Sequence, residues 1–544
     1  MLPRALSAAL LLAATPLFAQ ANVSPGLDLR LLDTWAIGAF QRAGSYPNGV
    51  SAIGAWTTCC NPGSVAIEFQ AAMNPNHGFI HYLVVREAAG RLEQISNWSY
   101  VKHTFGSNND PSTCGTCAGP GRFSWVEVGC SDTYANYQAV DHFNLGPPEE
   151  VDPWLGTWFP QCSYFDRGDP PVAAGQLCDS VRSLTHTQAG VLNQTVNHQV
   201  QVHDADLAVP GASYYWQAGY IVPMEADALR TDNLGSRAFT PTWNGGGWSM
   251  TDGATFVPGT VLQRWSGASI ASNSNAGDDG RCYVAVKVTG PLNGLYHYEY
   301  AVHNRDNAGG IAAFRVPVCG TAQVTGIGFH DIDQDPLNEW VGAKVGDEIV
   351  WSTGTNPLRW NSLYNFWFDS DAAPIQGTAV TLDQATVGSG ALNFTVASSA
   401  PLGLYQENVG PGCALAAPPR LYGIGAPPRA SLGNAAFYLR ATGMAPASLG
   451  CFVLTTTPGT LALGGGCTLY SASFAGLLAP YFATTNVAGA AMMPLPIPSS
   501  PVFEGLDLVF QAAGMAANGP YLGAFELSNG LRVRVGSAIA GCPQ

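Results

Sequence analysis

The chain has 544 residues, a formal net charge of −15 and only 11% charged residues. That length exceeds what one hydrophobic core supports, so roughly two to four domains are expected. Lysine occurs only at Lys102, Lys287 and Lys344 and there is no arginine-rich stripe, which argues against a nucleic-acid partner.

In chain order, Arg4, the apolar stretch Leu6 to Pro16 and the small residue at Ala19 have the form of a secretory signal peptide over residues 1–19. Cleavage there would leave about 525 residues. No later stretch reads as a transmembrane segment: Ala483 to Pro498 comes nearest, and three prolines break it. The expected location is therefore secreted or on the outer cell surface. The 63 glycines and 38 prolines are scattered without a collagen-like period and separate short apolar runs, as in a β protein with many turns.

Strands are expected at Ser64–Phe69 and Gly78–Val85, rich in β-branched and aromatic residues. Residues 106–180 are broken by glycine, proline and asparagine and need crosslinks or bound ions to be ordered. Strands resume at Gln199–Val202 and Ala212–Pro223, followed by a short helical turn at Glu225–Leu229. Residues 281–289 and 294–303 read as a hairpin about Pro291, Leu292 and Asn293, and Phe314–Val318 as a further strand that brings Cys319 within reach of Cys282. All fourteen tryptophans lie between Trp35 and Trp367. The composition then shifts to glycine, alanine, leucine and proline, and the tail reads as a compact β-sandwich with Leu506–Gln511 as an inner strand. The fold class is all-β: tandem β-sandwich-like domains with long disulfide-bearing loops. The expected partition is an N-terminal β domain over 20–190, a second over 191–400 and a C-terminal module over 405–544.

Thirteen cysteines in an exported chain read first as disulfides. Seven lie between Cys59 and Cys178, two are Cys282 and Cys319, and four are Cys413, Cys451, Cys467 and Cys542. The even groups can close internally; the odd one leaves a thiol over. The adjacent Cys59 and Cys60 call for separate partners.

Gly412-Cys413, Gly466-Cys467, Leu495-Pro496-Ile497-Pro498, Gly505, Phe510-Gln511 and Ser528-Asn529-Gly530-Leu531 resemble a C-terminal Gly-Cys-containing β module of secreted proteins from planctomycete-type bacteria. Upstream, Trp98–His103, Cys114, Cys117, Gly129–Asp132, Tyr298–Asn304, Gly328–Asp331 and Leu358–Asn365 resemble an uncharacterised exported family of the same bacteria. The resemblance implies exported origin and architecture, and no chemistry.

Several groups could carry chemistry. His103-x10-Cys114-x2-Cys117-x12-Cys130 could hold zinc or copper, or its cysteines could be disulfides with His103 at a strand end. His77 and His81 share a strand face but stand far apart for one ion. His297 and His303 also share a face; each could pack among tyrosines, or His303 could lead into an exposed turn of Asn304, Arg305 and Asp306. His103, His303 and His330 could converge as copper ligands between sheets, with Asp132 behind them. Asp331, Asp333 and Asp335, with Glu339, offer oxygen ligands for calcium, although the EF-hand spacing fails; the plain alternative is a solvated acidic turn. Trp243 and Trp248 could stack on sugars or pack in a core. No nucleophile elbow, Walker loop, His-Glu-x-x-His or haem-attachment motif occurs.

Three functions follow. The first is a secreted or cell-surface binding protein for glycans or other surface polymers, with calcium-stabilised loops. The second is a secreted copper or zinc enzyme, an oxidoreductase among the options, with its site between β domains. The third is a structural envelope protein.

Overall fold

The computed structural model describes residues 23–167, 178–183, 185–192, 195–275, 279–292, 294–333, 335–403, 405–425, 429–478 and 480–536. The expected signal peptide, Asn293 and Cys542 lie outside the described residues. The architecture is three successive pairs of antiparallel sheets, so the chain is all-β and built of tandem sandwich-like units with disulfide-bearing loops.

In the first unit one sheet is built on Arg30–Ala43, Val50–Cys60 and Cys130–Tyr134. The facing sheet runs Val101–His103, Phe79–Ala88, Ser213–Ile221, Leu234–Trp243 and Trp248–Pro258. Val200–His203 adds to the first of these by pairing with Val50–Cys60. The first unit therefore runs on to Pro258, past the border expected near residue 190. The cysteine-rich stretch before that border looks like a break because strand pairing between residues far apart in sequence leaves no local pattern.

The middle unit stacks the sheet Ser269–Asn275, Gly280–Leu292, Leu295–Asn304, Ser362–Ser370 and Val324–His330 on a second one. That second sheet contains Val341–Val345, Glu348–Ser352, Ile311–Pro317, Ala373–Gln384 and Asn393–Gly403. Gly280–Leu292 and Leu295–Asn304 form the expected hairpin, in register from Cys282↔Asn304 to Thr289↔His297, with a shift before Leu292↔Leu295. The third unit places Gln406–Gly410, Gly530–Arg534, Asp507–Met515, Leu449–Thr455 and Tyr481–Thr484 against Arg420–Ile424, Tyr438–Thr442 and Ala491–Pro494.

Side-chain parity decides what each face of a strand meets. Along Phe79–Ala88, Ile80, Tyr82 and Val84 enter the core of the first unit, while Leu83 and Val85 face outwards. Along Leu295–Asn304, Tyr298, Tyr300 and Val302 enter the middle core, and Ala301 faces outwards. The two outward faces meet. Leu83, Val85, Leu92, Trp265, Ala285, Ala301 and Leu363 form a buried cluster of their own, so the inner sheets of both units pack against each other along a seam. Each fully buried large aliphatic side chain there contributes about 1.5–3 kcal/mol. Phe79–Val85 is thus covered on both faces, which is why it is apolar apart from His81 instead of alternating.

Glu225–Leu229, expected as a helical turn, forms reverse turns closed by Leu229 N–H to Ala226 carbonyl at 2.9 Å.

Candidate functional site

The seam gathers a group of buried polar side chains. His81 projects into it from Phe79–Ala88, and its Nδ1–H donates to Asn361 Oδ1 at 2.7 Å. Asn361 in turn donates to the Tyr82 carbonyl at 2.9 Å. The ring has room because residue 219 is glycine: a Cβ there would stand 2.4 Å from His81 Nε2. Opposite, His303 shares a hydrogen bond of 2.9 Å between Nδ1 and Thr260 Oγ1. Burial lowers the pKa of His81 to about 4 and of His303 to about 3, so both are neutral near pH 7.

Beside them lies a network of buried charge. Arg230 Nη1 donates to the Pro153 carbonyl at 3.1 Å and to Asp306 Oδ2 at 3.2 Å. Arg305 Nη2 donates to the same Asp306 oxygen at 2.8 Å. Arg281 and Arg305 both pair with Asp227. Burial would raise the Asp227 pKa, but the Arg281 hydrogen bonds and the Arg305 charge hold it down to about 2. Glu225 behaves oppositely: burial raises it to about 8 despite hydrogen bonds from Leu29 N–H and Asn233, so it is largely protonated at neutral pH. Asn304, Arg305 and Asp306 were expected in an exposed turn. They are buried at 0%, 2% and 1% exposure, because the first unit covers them.

The proposed copper triad does not assemble. His103 Nδ1–H points to the Thr104 carbonyl at 3.4 Å, and its ring packs edge-on against Phe165 at 5.0 Å and beside His77 at 5.7 Å. His303 belongs with Thr260 and His81. His330 stands half-exposed on the rim of the seam with Nε2 3.5 Å from Glu93 Oε2. Asp132, expected behind the triad, instead accepts Asn108 N–H at 3.0 Å and lies near Lys102, whose pKa burial lowers to about 7. The cysteines beside His103 are crosslinks, Cys60–Cys114 and Cys117–Cys130, which removes their sulfurs as thiolate ligands.

Cys162–Cys178 and Cys413–Cys467 are further disulfides, and Cys319 is also disulfide-bonded. Cys59, Cys282 and Cys451 are free thiols. The expected Cys282–Cys319 bridge is therefore absent: Cys282 lies on the sheet Ser269–Asn275 to Val324–His330, and Cys319 follows a strand of the facing one.

The acidic loop spends its carboxylates on itself. Asp331 accepts Asp333 N–H at 3.1 Å and Asn356 Nδ2 at 2.6 Å. Asp333 accepts Asp335 N–H at 2.8 Å, and Asp335 accepts Leu337 N–H at 3.0 Å. These are consecutive Asx turns. Among the described residues the group of three possible metal ligands is Cys162, Asp166 and Cys178, with ligand atoms within 4.8 Å of one another. That group can hold a metal in general; with the two sulfurs joined, its thiolate donors become available only on reduction.

A separate surface feature lies at the far end of Leu234–Trp243. Tyr46 stacks on Trp243 at 4.4 Å and 17°, Trp248 closes one side, and Arg42 lies 4.9 Å over Trp243. The three aromatic rings border a groove of about 500 Å³ lined also by Leu207–Val209, Gly211–Tyr215 and Ala238–Pro241. Asp204 anchors it, accepting from Trp248 Nε1 at 2.9 Å and Ser51 Oγ at 2.8 Å.

The neighbour of His77 was not legible in the sequence: His81, at spacing four, reads as too distant, and the register Phe79↔His103 brings His103 beside it. Sequence reasoning also missed Arg230, Asp227 and Glu225. An Asn-Arg-Asp-Asn run directly after a strand was the available signal, and it was read as a solvated turn.

No family model matches the chain, and no curated protein matches it. Among solved structures it is similar to a variant of the major pilin subunit of Bacillus cereus, at 10% identity over 62% of this chain and 84% of that chain. The TM-score is 0.19, and that likeness carries no argument. No helix among the described residues is long and apolar enough to cross a membrane.

Proposed function

We propose that the chain is a structural component of the cell exterior, a stiff stack of β-sandwiches. The observation that supports this most directly is the seam. Its two units are joined by a sealed apolar cluster flanked by buried ion pairs, an arrangement that resists hinge motion, whereas chemistry at the same residues would need them open to substrate. The disulfides suit an oxidising compartment, as the signal-peptide-like N-terminus implies. The test is deletion in the producing cell. The expected result is an envelope weakened against osmotic and mechanical stress and restored by the wild-type chain but not by a seam-broken Asp306→Ala chain; an unaltered envelope would sink the reading.

A second reading, a binding protein for surface polysaccharide, is favoured by the Tyr46–Trp243 stack, since flat aromatic faces pair with sugar rings. In polysaccharide-containing native gels the wild-type chain should be retarded and Trp243→Ala should not. Equal mobility of the two would remove this reading.

A further inference from the structure

We propose that His77 and His103 form a buried two-coordinate site for a soft monovalent cation, copper(I). The two rings stand 5.7 Å apart, nearly perpendicular at 84°. Both are sealed from solvent, at 0% and 1% exposure. His77 Nδ1 meets the Gly78 carbonyl at 2.9 Å, and His103 Nδ1 meets the Thr104 carbonyl. A carbonyl can only accept, so in both rings Nδ1 carries the proton and Nε2 keeps its lone pair. Both Nε2 atoms are buried without a hydrogen-bond partner. Buried polar atoms are normally satisfied, and two such acceptors side by side require an explanation. A backbone-anchored Nδ1–H is also what fixes the tautomer and orientation of metal-ligating histidines.

The surroundings select the ion. Trp158 and Phe165 wall the pair, at 5.6 Å from His77 and 5.0 Å from His103. No carboxylate or thiolate joins the two rings in a three-donor group among the described residues, so a tetrahedral zinc set is not formed. Lys102 and Arg182 place positive charge near His103, which penalises a divalent ion more than a monovalent one. Copper(I) has a filled d shell, accepts two donors in line and takes imidazole nitrogen. With metal–nitrogen bonds of about 2 Å, an in-line pair sets its ring centres about 6 Å apart, close to the 5.7 Å between His77 and His103. The dry aromatic shell disfavours a more highly charged oxidation state.

The test uses the full-length oxidised protein, equilibrated with copper(I) under argon against a chromophoric copper(I) chelator. X-ray absorption then separates nitrogen from sulfur ligation, because Cys59, Cys282 and Cys451 are competing thiols. The expected result is one equivalent bound by two nitrogens. It should be lost in His77→Gln/His103→Gln and kept in His303→Gln. Independently of any variant, imidazole 15N spectra of the wild-type protein should show two Nε2 resonances moving on addition of one equivalent. Copper held only by sulfur, equal nitrogen-bound copper in the double variant, or unmoved Nε2 resonances would each overturn the proposal.

Discussion

Arg230 reaches Asp306 across the seam with Nη1 3.2 Å from Oδ2, and the two side chains are only 2% and 1% exposed. The same carboxylate serves Arg305, so one acid balances two buried guanidinium groups from different units. Asp306→Ala leaves both without that partner. Breaking a buried pair from one side costs about 3–5 kcal/mol. Urea unfolding of the variant should show a loss of that order, and a loss under about 1 kcal/mol, the scale of an exposed pair, would mean that the seam is not held by charge.

Glu225 makes the first unit sensitive to alkali. Its folded-state pKa, near 8, lies above the unfolded value of 4.5, so the folded protein holds a proton that the unfolded chain releases. The resulting stabilisation is complete below pH 4.5 and is lost as pH rises towards 8. Glu225→Gln cannot ionise. The difference in unfolding free energy between wild type and variant should therefore change across that window in favour of the variant, and a pH-independent difference would refute the assignment.

Cys60–Cys114 closes a loop with a sequence separation of 54, against 13 for Cys117–Cys130. In the chain-entropy view the first contributes about 4 kcal/mol and the second about 3 kcal/mol. Replacing each pair by serine should lower stability in that order. A zinc chelator should leave the wild-type protein unchanged in the same assay, as expected where these sulfurs are bonded to each other.

The free thiols should react in two classes. Burial raises the pKa of Cys59 and Cys282 far above the ordinary thiol value and hides them from reagent, whereas Cys451 is half-buried. Alkylation followed by peptide mass spectrometry should label Cys451 in the native protein and the other two only after unfolding. Native labelling of Cys282 would indicate that the middle sandwich opens.

The β character was legible because the alternation along Leu295–Asn304 places Tyr298, Tyr300 and Val302 on one face, and that face is the core. What the other face meets was not legible, since Ala301 and His303 look the same whether water or a second sheet lies opposite. The same ignorance turned Asn304–Asp306 into an exposed turn. His103 was matched with cysteines nearby in sequence, while the residue beside it in space is set by strand register. Local spacing carries no information about register between strands joined by a long loop.

The final described strand of the third unit, Gly530–Arg534, lies inside its sheet, between Gln406–Gly410 and Asp507–Met515. A chain that stops short of residue 530 would leave a gap inside that sheet, with two unpaired edges and the core without Leu531 and Val533. The sheet closes only once residues 530–534 are present. Order of synthesis and order of sheet assembly therefore differ in this unit: the early strand Gln406–Gly410 waits for the last described one.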